Sequence, residues 1–250
     1  MASKDKSKVE VIPLAESKPS SRITEITREV KITTINLIRG FIEPNSPTGF
    51  REEIAGKEGS LIIIRGFGKK SSLPETRIKE EMYKLGLSGV ITGIAAGPGN
   101  EELEKFVAQL ISEVEKYDSK PILVGYSLGG LIALLAYHHG IQDKIRGIIT
   151  VGAPINGIKA VLLLKRKSGL LKEISPGSKF LETLGTKKYH PNTYHLLAEF
   201  DQFVGNPSLI NIDGKKIILP IRGHNNFLEA QITAQEVAKL AMEMLKNNLA

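Results

Sequence analysis

The stretch Pro121-Ile122-Leu123-Val124-Gly125-Tyr126-Ser127-Leu128-Gly129-Gly130 decides how this 250-residue chain is read. A short apolar run, of the kind shown by a strand buried on both faces, leads straight into a turn that holds a serine between two glycines. Residues 128–139 are small and apolar and fit a buried helix. Strand, sharp turn and helix together form the setting of a nucleophile elbow, in which the serine Oγ stands clear of the sheet end. Glycines at 125 and 129 remove side chains that would collide with the neighbouring strand and helix. The helix N-terminus brings a positive dipole end to the place where negative charge would develop. Gly-x-Ser-x-Gly alone arises by accident, and a glycine-rich turn with a capping serine is the plain alternative. The flanking pattern is what singles out Ser127 as the nucleophile.

Outward from this turn the pattern is regular. Residues 61–64 (Leu-Ile-Ile-Ile) form another short apolar run, followed by the loop Arg65-Gly66-Phe67-Gly68. Ser72 to Glu75 reads as a capping box with Pro74 in the first turn of a helix. Ile78, Met82 and Leu85 share its inner face, and Gly86 stops it. Residues 90–94 predict a strand. Asn100 predicts the cap of an amphipathic helix with the stripe Leu103, Phe106, Val107, Leu110, Val114 and Tyr117. Further strands are expected at 145–151, 193–198 and 217–221. A last helix opens with the capping box Thr233-Ala234-Gln235-Glu236 and turns Val237, Leu240, Ala241 and Met244 inward. Strands alternating with helices imply an α/β fold, a mostly parallel sheet with helices on both faces. Residues 1–21 read as a flexible tail. Residues 23–42 fit strand or helix equally, and residues 22–250 read as a single domain.

A serine nucleophile needs a base, and the chain has five histidines. His138 and His139 fall at the end of the helix after the elbow, His190 precedes a proline, and His195 lies inside an expected strand. His224, in the loop Arg222-Gly223-His224-Asn225-Asn226 after the last strand, can reach the rim that carries the serine. An exposed loop histidine is the alternative. Asp201, after the strand at 193–198, is the candidate carboxylate to orient it. Glu199 is its nearest rival, and Asp213-Gly214 reads as a hairpin turn. The oxyanion donors expected are the N–H groups of Leu128 and Phe67. Each such donor is worth about 3 kcal/mol of transition-state stabilisation.

The net charge is +7, and residues 159–188 hold eight basic residues against two acidic ones. The remainder is nearly balanced, which argues against a nucleic-acid coat. The same segment carries Val161-Leu162-Leu163-Leu164 and Leu170-Leu171. It reads as a cap inserted at about 157–190, either packing an apolar face on the core or meeting anionic lipid. With no cysteine there is no disulfide framework, thiolate metal site or cysteine nucleophile. No secretory signal or membrane-length apolar run is apparent, so the expected location is cytoplasmic.

With these pieces in order, the chain resembles the α/β-hydrolase superfamily, and within it the lipase/esterase-like branch. The matching pieces are Ile62-Ile63-Ile64-Arg65-Gly66-Phe67-Gly68, Val124 to Gly130, Ile148-Ile149-Thr150-Val151-Gly152-Ala153-Pro154, Glu199-Phe200-Asp201-Gln202-Phe203-Val204 and Gly223-His224. They span about residues 60–246 in the order Ser127, Asp201, His224 that such triads follow. Residues 151–157 and Ser175-Pro176-Gly177-Ser178 are similar to segments of lipases acting on acyl esters. The resemblance implies a carboxylic-ester hydrolase working through an acyl-enzyme, without metal or cofactor, on a small acyl ester or lipid. Acyltransferase or thioesterase chemistry on the same triad, or a binding protein that kept the fold, are the alternatives. Arg65, Gly66 and Tyr126 are expected on the substrate side. Many relatives have histidine where Arg65 stands; its guanidinium could hold a substrate carboxylate or phosphate, or merely anchor the loop.

Overall fold

Apolar runs with no polar face become the middle of a sheet covered on both sides. The computed structural model describes residues 9–11, 50–54, 59–66, 73–87, 89–95, 103–163 and 169–246. Its strands are β1 (Val9–Val11), β2 (Phe50–Ile54), β3 (Leu61–Arg65), β4 (Gly89–Ala95), β5 (Ile122–Tyr126), β6 (Gly147–Val151), β7 (Thr193–Phe200) and β8 (Lys215–Arg222). Its helices are α1 (Leu73–Lys84), α2 (Leu103–Val114), α3 (Leu128–Tyr137), α4 (Gly169–Glu173), α5 (Lys179–Thr186), α6 (His224–Glu229) and α7 (Gln231–Lys246). The spatial strand order is β1-β8-β7-β6-β5-β3-β4-β2. Neighbours pair in parallel except β2, which runs antiparallel to β4.

Side-chain alternation divides the core into two layers. Ile62 and Ile64 of β3, Leu123 of β5 and Ile148 of β6 pack with α2 and α3. Leu61 and Ile63, Ile122 and Val124, and Ile149 and Val151 point to the other face, with α1 and α7. The α2 stripe is buried as its spacing predicts, and α3 is buried from Leu128 to Ala136 because nothing on it is polar. Each fully buried Leu or Ile contributes about 1.5–3 kcal/mol. Among the described residues no helix is long and apolar enough to cross a membrane.

Several expectations change. Val9–Val11, inside the expected flexible tail, pair in parallel with residues 216–218 of β8, and β2 had no forecast. Edge strands this short have too little apolar alternation to announce themselves. The stretch 157–190, expected as a cap with no elements assigned to it, carries a 3-10 turn (Lys159–Leu163) followed by α4 and α5. Asp213-Gly214 does not close a hairpin, because β7 and β8 are parallel. The final helix starts at Gln231, so Thr233 lies within its first turn and its hydroxyl donates to the Phe227 carbonyl at 2.7 Å instead of capping. Ser72, Asn100 and residues 23–42 lie outside the described residues.

Candidate active site

Ser127 adopts φ 52° and ψ −120° and is the one non-glycine residue with positive φ among the described residues. Such a conformation costs on the order of 1–3 kcal/mol and persists only when the surroundings enforce it. Here they do. The Ser127 N–H donates to the Val151 carbonyl of β6 at 2.8 Å, and the chain enters α3 at Leu128. A Cβ on Gly129 would land on the Ile64 carbonyl, and one on Gly125 would lie 2.5 Å from the Gly129 oxygen. The helix therefore sits against β3 and β5 at a distance that only glycine permits, and the half-buried serine is lifted to the carboxyl end of the sheet.

β7 and β8 end on the same rim. After β7, Asp201 is 2% exposed, and its Oδ1 accepts the N–H groups of Phe203 at 2.8 Å and Val204 at 3.0 Å. Its Oδ2 accepts His224 Nδ1–H at 2.6 Å. A carboxylate only accepts, so the proton sits on Nδ1, and Nε2 is left to accept the Ser127 hydroxyl at 3.0 Å. Burial alone would raise the Asp201 carboxyl. The facing His224, its hydrogen bond and the Val204 and Phe203 N–H groups outweigh this and hold it below its usual value. The Phe203 ring meets His224 edge-on, centroids 5.2 Å apart. His224 is the first residue of α6 rather than part of a free loop.

The three residues singled out for catalysis thus come together in one hydrogen-bonded line. Of the rivals, Glu199 points away and accepts from Arg222 at 3.0 Å. The Asp213 carboxylate accepts the Tyr189 N–H and Lys188. His195 is buried between Thr150 Oγ1 (2.8 Å) and the Asp213 carbonyl (2.9 Å). Since that carbonyl accepts Nε2–H, Nδ1 accepts the Thr150 hydroxyl and the ring is neutral. Burial, with Lys216 adding to it, takes His195 down to about 4 despite the opposing Asp213 hydrogen bond.

The substrate-side residues divide. Gly66 lies against the elbow, where a Cβ would come within 2.7 Å of Ser127 Cβ and 3.4 Å of Leu128 N. Its bare backbone leaves space beside the hydroxyl. Leu128 N–H belongs to the first turn of α3, which has no intrahelical acceptor. Phe67 lies outside the described residues. Tyr126 is corrected: it shares strand parity with Ile122 and Val124, so its side chain is buried in the layer beneath α1 and α7, where burial and then Glu75 push its hydroxyl up. Arg65 has the parity of Leu61 and Ile63. Its guanidinium is buried and paired with Glu75 of α1, the loop-anchoring alternative. Sequence reasoning missed Glu75, because a partner ten residues along and on another element leaves no local pattern.

The family profile for the alpha/beta hydrolase fold matches residues 44–186, more than half of the chain, and the chain belongs to that family. Among solved structures it is similar to the mature form of the Bacillus licheniformis lipase BlEst2, at TM-score 0.60 and 16% identity over 79% of this chain and 99% of that one. It is also similar to a monoacylglycerol lipase of Paleococcus ferrophilus, at TM-score 0.55 and 16% identity over 80% and 99%. A thioesterase domain from the curacin biosynthetic pathway superposes at TM-score 0.54 and 14% identity over 79% and 100%. These likenesses are of fold. No curated protein matches the chain.

Proposed function

We propose that the chain is a serine hydrolase of carboxylic esters. The observation that carries this is the line from Asp201 through His224 to a serine held at positive φ. Ser127 Oγ attacks the acyl carbon while His224 Nε2 takes its proton. Asp201 keeps the imidazole in the accepting tautomer and stabilises its charged form. The Leu128 N–H, with that of Phe67, holds the oxyanion. The imidazolium then protonates the leaving alcohol. Water, deprotonated by the same imidazole, cleaves the acyl-enzyme and frees the acid and Ser127. A fluorophosphonate probe is expected to label the protein but not Ser127→Ala; equal labelling of both refutes the assignment. Turnover of matched oxoesters and thioesters, with and without an added acceptor alcohol, separates hydrolase from thioesterase and acyltransferase.

Residues 157–190 act as the cap of a single hydrolase domain. Val161, Leu170, Leu171, Leu181 and Leu184 are buried, which supports packing on the core. On the outside, Lys159, Lys172, Lys179 and Lys188 are exposed and Leu162 is 53% exposed, which supports contact with an anionic lipid surface. Flotation with anionic but not with zwitterionic vesicles at low salt is the expected result, and no flotation with either refutes the contact.

A further inference from the structure

The helix α6 begins with the candidate base itself, and its N-cap is Gly223, which has no side chain to receive the N–H groups of the first turn. Helices leave these donors without intrahelical acceptors. At His224 the acceptor comes from elsewhere: the Gln202 side-chain oxygen takes the His224 backbone N–H at 3.1 Å, across 22 residues of chain. An N–H needs an acceptor, so the carboxamide is oriented with Oε1 toward α6. Gln202 follows Asp201 directly and lies inside the turn closed by the Gly205 N–H on the Asp201 carbonyl at 2.8 Å. One tight turn therefore holds the histidine twice, by the ring through Asp201 and by the backbone through Gln202.

We propose that Gln202 is a positioning residue, a surrogate cap that sets where His224 begins α6 and hence where Nε2 lies relative to Ser127. This rests on the hydrolase reading above. The Asp201 bond alone lets the imidazole pivot about Nδ1. Anchoring the backbone N–H as well removes that freedom and keeps Nε2 on the serine hydroxyl, where small displacements cost rate steeply. Gln202 acts on the reaction through the His224 main chain, whose N–H it accepts. Among charged neighbours, Asp201 faces the ring, while Glu199 and Arg222 on the ends of β7 and β8 pair with each other.

The test compares Gln202→Leu, which removes the acceptor, with Gln202→Glu, which keeps it and adds a charge. Each is assayed for ester turnover, and amide hydrogen exchange at His224 is followed in the same proteins. In Gln202→Leu, kcat is expected to fall roughly tenfold to a hundredfold with KM nearly unchanged, and the His224 amide exchanges faster. Gln202→Glu is expected to restore amide protection and most of kcat. Wild-type kcat in Gln202→Leu, or a His224 amide as protected in it as in the wild type, overturns the positioning role while the hydrolase reading stands. A wild type with neither turnover nor probe labelling overturns both.

Discussion

At the scale of the residue, the elbow is a packing problem as much as a chemical one. Because a Cβ on Gly129 would fall on the Ile64 carbonyl, Gly129→Ala is expected to lose probe labelling and about 2 kcal/mol or more of stability, read from its urea midpoint. Gly169→Ala is the control: among the described residues nothing lies within 4 Å of the added methyl at the start of α4, and the expected change is neutral or stabilising by up to about 1 kcal/mol. Arg65 offers a sharper contrast. Its pairing with Glu75 predicts that Arg65→Met destabilises by about 3 kcal/mol, since a buried carboxylate loses its cation. It also predicts that the preference between a succinyl and a butyryl ester does not change. A selective loss of the acidic ester would return Arg65 to the substrate. Ser127 and Gly129 were legible because elbow chemistry is local. The direction of Arg65 was not, since the alternation that turns it toward α1 depends on which face each strand parity meets.

At the scale of the element, the start of β8 is tied to β6 and β7 through one neutral histidine. The chain Thr150–His195–Asp213 spans three segments, and none of its members carries a local signature. His195 sits at about 4, so at pH values above its unfolded pKa of about 6.5 it is uncharged in both states and costs nothing. As pH falls from about 6.5 toward 4 the unfolded state takes up the proton first, and stability drops by roughly 3 kcal/mol. Burial pushes His138 and His190 in the same direction, so the whole slope does not belong to His195. His195→Gln keeps a donor for the Asp213 carbonyl and cannot titrate. Urea unfolding across this window is expected to give a shallower slope for it, and an unchanged slope would refute the assignment. The contribution of Asp201, whose carboxyl is held below its ordinary value, is lost only as pH falls further, through its folded pKa. Among the elements, those with a full apolar period were legible in advance. The 3-10 turn, α4 and α5 were not, because two or three turns of a cap pack one or two leucines each and show no sustained period.

At the scale of the whole molecule, the sheet is closed at one end by β2 and at the other by β1, three residues paired with β8. An uncovered edge strand exposes unpaired backbone groups to other chains. Removing residues 1–11 is therefore expected to leave the fold and probe labelling in place but to increase self-association in size-exclusion chromatography. Unchanged elution would show that β1 does not guard that edge.

The amino-acid sequence by itself determined the parallel α/β core and the candidate nucleophile, because strand burial, helical period and the glycine-bearing turn are written in neighbouring residues. It also narrowed the base and its carboxylate to His224 and Asp201 by their places after successive strands. Only the tertiary structure decided what is set by contacts between distant segments. The parallel register of β7 and β8 brings Gln202 to the His224 N–H, strand parity buries Tyr126 and turns Arg65 to Glu75, and β8 recruits Val9–Val11 to its edge. Those contacts join residues from ten to more than two hundred positions apart, and no local pattern of residues specifies them.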